Sequence, residues 1–326
     1  MRRREFVSGL GGVAATWSLA AGVSRVRAQT PDRIYRLGHL GFAGPSETMS
    51  RQVILPELAR LGFVEGRNLV FDVRSGEADA QPALMRELLA ARPDAVIAIG
   101  NAAIVAAGAA TRTVAIVGLG GDPVQLGLAK SYARPGGNVT GVTILISELE
   151  VKRLSILREA APDRRRVAAL VSITQRSISE PALRKAATGL GVELLVFPAA
   201  APADYPAAFA AMRAAGAEAV LIGAAPEFNR DAKQLAALAL EARLPTVCEW
   251  ADLAQAGCMI GYGPSRPALR KRMAAQIAQI FRGAAPGDVA IELPTVFEFA
   301  INQKVAKSLG LTIPLGVLAQ ADEVIE

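Results

Sequence analysis

Short apolar, β-branched runs alternate with helical ones along most of this chain, and that alternation restricts the fold more than any other feature. Ile34 to Leu40, Asn68 to Val73, Asp94 to Ile99 and Val114 to Leu119 read as strands. Helices are expected between them: one from a Ser46 cap to about Leu61, one over Gln81 to Ala91, and an Ala-rich one behind Gly100-Asn101. The pattern resumes at Arg166 to Val171, Val192 to Phe197, Ala219 to Ile222, Thr246 to Cys248, Met259 to Tyr262 and Glu292 to Ile301, with a polar tail from Leu318. Such spacing predicts an α/β fold of parallel, doubly wound sheets. The composition agrees: 52% hydrophobic but only 5% aromatic, so the core is built from Ala, Val, Leu and Ile, as strands covered on both faces require. At 326 residues the chain is long for one core and comfortable for two lobes.

Ala133 to Leu154 separates the two runs. Arg134-Pro135-Gly136-Gly137-Asn138 has the residues of a tight turn: Pro sets φ, and the glycines permit a sharp reversal. Val139 to Ile146 reads as a strand. Ser147 and Glu150 have capping-box spacing before an apolar helix face at Val151, Leu154 and Leu157. The stretch is expected to be a crossing between two similar halves, with further crossings near Gly261 to Pro264 and Gly283 to Glu292.

The formal charge of +6 does not indicate nucleic acid. Residues 2 to 28 hold five arginines and one acid, which leaves 31 bases against 29 acids in the remainder. Arg2-Arg3-Arg4, an uncharged Gly/Ala-rich Val7 to Val23, and Val26-Arg27-Ala28 before Gln29 form the pattern of a secretory signal cleaved after Ala28. Arg3-Arg4-Glu5-Phe6-Val7 partly resembles a twin-arginine motif, so either export route fits. Cys248 and Cys258 are far from that site, which excludes a lipoprotein. Ten residues of separation would permit a disulfide, but two buried thiols on neighbouring strands are expected.

The catalytic inventory is poor. His39 is the single histidine, so multi-His metal sites are excluded, and no HExxH, GxxxxGK[ST] or GxSxG motif occurs. Gly118 to Pro123 fails the dinucleotide pattern because Pro123 stands at its third glycine. No enzyme, cofactor or metal is expected. Instead, several predicted strands end in small or polar groups, and ligands of parallel sheets bind beyond the carboxyl ends of strands. Those ends supply Phe42, Ser46, Asn101 and Asp122 from the first half, and Ser172, Thr174, Pro226, Glu249 and Trp250 from the second. Tyr262, in the bend Gly261 to Pro264, adds a further aromatic surface. Each alone reads as an ordinary cap or turn; together they outline a ligand-binding cleft. Ser46 and Asn101 would present helix N-termini to a carboxylate.

REFV at 4 to 7, GDPV at 121 to 124, ARPGGNVTG at 133 to 141, YGPS at 262 to 265, INQKVAKSLGLTIP at 301 to 314 and the ending LGLTIPLGVLAQADEVIE resemble the exported ABC-transporter substrate-binding proteins of tryptophan/tyrosine type. The resemblance spans almost the whole chain. It implies a type I periplasmic-binding-protein fold: two Rossmann-like lobes with parallel sheets, joined by a three-stranded hinge. The lobes would be 29–143 with a returning helix at about 265–283, and 144–264 with about 290–326. It implies a periplasmic protein that closes on a small solute and hands it to an ABC permease in the inner membrane; a monomer is expected, and Ser46 and Asn101 at helix starts with Trp250 and Tyr262 suit a carboxylate-bearing or aromatic amino-acid-like solute. The alternative is a sensory module serving a receptor or kinase. His39 in the first strand, and a Ser172 to Ser177 loop without an Asn/Pro-rich form, depart from the family pattern, so ligand identity does not carry over.

Overall fold

Two sheets organise the computed structural model, which describes residues 33–326; the signal-sequence expectation for residues 1 to 28 lies outside the described residues. The first sheet holds β1 (Tyr35–Gly41), β2 (Leu69–Ser75), β3 (Ala95–Ile99), β4 (Ala115–Gly120) and β5 (Val139–Thr143), all parallel, in the order β2-β1-β3-β4-β5. The second holds β6 (Arg166–Ser172), β7 (Glu193–Ala199), β8 (Ala219–Ile222), β9 (Thr246–Cys248), β10 (Ile260–Pro264), β11 (Phe297–Asn302) and β12 (Glu323–Ile325). Its order is β12-β11-β10-β9-β8-β6-β7, parallel except for the β10–β11 pair. Strand β3, AVIAI, is buried along its whole length, as a central parallel strand between helix layers must be. The sheet is closely spaced where β4 meets β5: Gly141 has φ of 135°, and a Cβ there would collide with the backbone of Gly118. This is the two-lobed architecture of type I periplasmic-binding proteins.

Three connections join the lobes. The first runs from Thr143 to Ile146 through Leu145, a non-glycine residue at φ 50°. The second is the step from Pro264 to Arg266, and the third is Glu292 to Phe297. They are knitted together by Thr143 N–H donating to Glu292 O (3.0 Å), Glu292 N–H to Gly141 O (2.9 Å) and Ser265 N–H to Val296 O (2.9 Å). Helix Arg266–Phe281 returns from the second connection to pack on the first lobe. There Phe281 stacks on Tyr35 at 4.7 Å, and Gln276 Nε2 donates to Gly141 O at 3.0 Å.

Several local expectations are corrected. The turn at Arg134 to Asn138 belongs to the first lobe, where Gly136 N–H donates to Gly287 O, and Gly283 to Glu292 lies along that lobe rather than crossing. The helix expected from Ser46 to about Leu61 does form, running unbroken from Pro45 to Arg60, but it is not regular. The chain forms Pro45–Met49, a π-turn Ser50–Ile54 and Leu55–Arg60, because Pro56 has no N–H to donate and its ring crowds the preceding turn. Gly44, not Ser46, is the N-cap; the Ser46 hydroxyl donates to Phe42 O at 2.6 Å. The capping box at Ser147 and Glu150 does not form. That helix starts at Ile146, and the Glu150 carboxylate turns inward to accept from Ala224 N–H at 2.9 Å. The tail is not merely polar: Glu323–Ile325 pairs in parallel with β11.

Candidate functional site

A cavity of about 60 Å³ lies between the lobes, which are drawn together around it. The first lobe contributes Phe42 and Ser46 from the end of β1, and Gly100 and Asn101 from the end of β3. Pro226, Asn229, Glu249 and Trp250 come from beyond β8 and β9 of the second. The crossing helix supplies Arg266 and Arg270. Phe42 and Trp250 are 6% and 7% exposed, so two aromatic surfaces are held within a mostly apolar space, as ligand pockets require.

Charge in this cavity is unbalanced. Arg270 is 3% exposed, yet it forms no ion pair among the described residues. Its Nη1 makes one long bond, 3.4 Å, to Arg266 O, and its Nε has no partner. Burial, then the neighbouring Arg266, lowers its pKa to about 9. Arg266 pairs with Asp252 at 2.7 Å and lies over the Trp250 ring at 5.2 Å. Glu249 is 5% exposed, and burial pushes its carboxyl up to about 7 against the pull of Arg153 and Arg266. Asn229 Oδ1 is buried without a partner. The walls therefore carry one cation lacking a counter-charge and an acceptor lacking a donor, and buried groups of that kind cost stability until something satisfies them.

Asn101 has a different job from the one its helix position suggests. Its Oδ1 accepts from Gly121 N–H at 2.6 Å, and its Nδ2 donates across the cleft to Gln175 Oε1 at 2.9 Å. Pro226 seats on Gly100, where an added Cβ would come within 2.9 Å of its ring. Arg230 of the second lobe pairs with Glu77 of the first. These contacts describe lobes that are closed on each other.

The structure brings Phe42, Ser46, Asn101, Pro226, Glu249 and Trp250 to the cavity wall. Asp122, Ser172, Thr174 and Tyr262 do not line it. The Asp122 side chain accepts from Tyr132 Oη at 2.5 Å and from Val124 N–H at 2.8 Å. The Ser172 hydroxyl donates to Glu227 at 2.5 Å and lies 2.9 Å from the Thr174 hydroxyl. Tyr262 faces the opposite side of β10, stacked on Phe297 at 6.2 Å and edge-on to Phe299 at 6.0 Å. His39 is fully buried beneath the site, its Nδ1 3.3 Å from Ser50 Oγ. Burial, then Arg270 and Arg51, lowers its pKa to about 3, so it stays neutral. The two thiols expected at Cys248 and Cys258 are instead a disulfide, because the 3₁₀ turn Ala251–Ala254 brings their Cα atoms to 6.4 Å. Arg266, Arg270, Gln175 and Asn229 were not expected. The arginines were legible in part: Arg266, Leu269, Arg270, Met273 and Ile277 fall on one helical face, which places two cations on an apolar stripe.

Residues 42–325 match the sequence profile of a family described as "ABC transporter substrate binding protein". The chain belongs to that family. Its members are binding proteins for small molecules rather than enzymes. A tyrosine-binding protein of Clostridioides difficile is 25% identical to this substrate-binding protein over 134 residues, which is 40% of this chain and 38% of that relative's length. Among solved structures, a conserved domain protein of Vibrio cholerae is 24% identical, with TM-score 0.82 over 90% of this chain and 100% of that one. An ABC domain of Streptococcus pneumoniae in complex with L-Trp is 21% identical, with the same TM-score and coverage. At such identities these structures establish the shared fold. No helix among the described residues is long and apolar enough to cross a membrane, and no cluster among them could hold a metal ion.

Proposed function

We propose that this substrate-binding protein is a monomer of the periplasm that serves an ABC importer. It captures a small, carboxylate-bearing, aromatic amino-acid-like solute by closing its lobes on the cavity, and the closed form docks on the permease. Arg270 carries this reading: a buried guanidinium facing the cavity with no carboxylate of its own calls for an anionic group on the ligand. Phe42 and Trp250 suit a ring, while Asn229 and Glu249 suit a donor such as an ammonium. Ser46, Asn101 and Pro226 complete the wall and the closure. Thr174 and Asp122 border grooves that adjoin the cavity at Asn101, while Ser172 and Tyr262 act behind it, holding strand ends in place. We assign the lobes to 29–143 with the returning helix, and to 144–264 with the C-terminal strands. The relatives that bind tyrosine and L-Trp support the ligand class.

Micromolar affinity corresponds to about −8 kcal/mol, within reach of one charged pair and a stacked ring after ordering costs. Titration calorimetry against L-tyrosine, L-tryptophan, organic acids and sugars tests the proposal. Binding of a carboxylate-bearing ring is expected; tight binding of a sugar, with none of any acid, would overturn it.

A further inference from the structure

One cavity wall is closed by a covalent bond: the segment from Cys248 to Cys258. It leaves β9 at Cys248, presents Glu249 and Trp250 to the cavity, turns through Ala251–Ala254 and returns at Cys258 to enter β10. Strand pairing at its base is slight: β9 has three residues, and its register with β10 covers only Val247 with Ile260 and Cys248 with Gly261. Polar ties elsewhere in the segment are few. Arg153 Nη2 donates to Glu249 O at 3.0 Å, Asn302 Nδ2 to Ala254 O at 2.8 Å and Gln255 Nε2 to an exposed Glu323 Oε1 at 3.0 Å, and Asp252 pairs with Arg266 through a carboxylate that is 53% exposed. The Cys248–Cys258 bridge closes this loop where it joins the sheet, and both sulfurs are buried, with exposures of 1% and 0%. Trp250 sits two residues from the bridge and is itself packed beside Gly263, where a Cβ would lie 3.4 Å from its ring.

We propose that the disulfide is a positioning element of the ligand site: it holds the loop bearing Glu249 and Trp250 in its binding geometry before ligand arrives. The bridged protein meets its ligand with a pre-formed second-lobe wall. A protein without the bridge orders that wall during binding and loses affinity by the cost of doing so. This rests on the reading of the interlobe cavity as the ligand site.

The chain has two tryptophans, Trp17 and Trp250, so Trp17→Phe leaves Trp250 as a reporter of the loop. In that background the full chain is compared with and without Cys248→Ala/Cys258→Ala. Fluorescence anisotropy of Trp250 and calorimetry with L-tyrosine are read well below the melting temperature of each protein. The expected result is a fall in Trp250 anisotropy and a loss of affinity of about tenfold, the scale of ordering one or two side chains on binding. A bridge that served only overall stability would leave both unchanged under these conditions, and that result would overturn the proposal. Cys248→Val/Cys258→Ala, which keeps more of the buried volume, is measured in parallel. If neither pair folds, the bridge is a folding staple and the positioning role is rejected. If the bridged protein itself fails to bind L-tyrosine, the ligand reading falls, while Trp250 anisotropy still decides whether the bridge positions the loop.

Discussion

Two helices begin at lobe crossings, Ile146–Ala160 and Arg266–Phe281, and each carries a buried arginine that was met very differently. Arg153 is 1% exposed; its Nε donates to Tyr262 O at 2.8 Å and its Nη2 to Glu249 O at 3.0 Å, only Nη1 lacks a partner, and the Glu150 and Glu249 carboxylates are near enough to raise its pKa against the burial that lowers it. Arg270, 3% exposed, has one 3.4 Å bond and an orphaned Nε. The same residue type at equal burial therefore serves two ends. Arg153 fastens the crossing strand β10 and the loop after β9 to the helix between them. Arg270 is left unsatisfied on the wall of a cavity, which is tolerable where a ligand completes it. A buried charge with its partners removed is strongly destabilising, whereas replacing one that never had partners is not.

Substitutions break this contrast in a definite order. Arg153→Met removes the donor to two carbonyls and leaves the buried Glu150 without its cation and Glu249 with Arg266 alone, so denaturant unfolding should show a loss of about 3–5 kcal/mol. Glu249→Gln acts through pH. Its carboxyl is raised from 4.5 to about 7, so between those values the native state binds a proton that the unfolded chain has released. The group therefore withdraws stability as pH rises through that window, by up to about 1.4 kcal/mol per pH unit. Unfolding curves of the glutamine variant should lack that component of the slope; an identical slope would show that Glu249 is already ionised in the folded protein. Asn101→Ala removes the bond to Gln175 across the cleft and the one to Gly121, with an expected cost near 1 kcal/mol and a more open cleft by small-angle scattering. Arg270→Met should change stability least, within about 1 kcal/mol of zero or slightly upward, since it removes an uncompensated charge.

The sheets could be read from the chain because parallel strands covered on both faces need unbroken apolar runs, and Asp94 to Ile99 or Ala219 to Ile222 have no other plausible use. The wall of the candidate cavity was legible wherever it depends on strand ends, as for Phe42, Asn101, Pro226 and Trp250. It failed where a distant partner decides the role. Glu150 has capping-box spacing, but Ala224, 74 residues away, claims its carboxylate. Ser46 has the residue type of a cap, but the helix starts one residue earlier, so its hydroxyl turns back to Phe42 O. Tyr262 lies at a strand position whose facing depends on register, and its pairing with Phe299 turns it from the cleft. Arg266 and Arg270 look like the solvated face of a helix until their spacing is set beside Leu269, Met273 and Ile277. The disulfide required knowing that a 3₁₀ turn folds ten intervening residues back on themselves.

The central claim is that Arg270 waits for a carboxylate, and a double-mutant cycle addresses it most directly. L-tyrosine and tyramine, which lacks the carboxylate, are titrated into the wild type and into Arg270→Met. On the wild type, deleting the carboxylate should weaken binding by about a hundredfold, in the range of buried charged pairs. On the variant the two probes should differ by less than about threefold, so the two losses differ by about thirtyfold or more, a coupling of about 2 kcal/mol that a direct pair produces. Equal losses in both proteins would show that the carboxylate is held elsewhere and that Arg270 is not its partner.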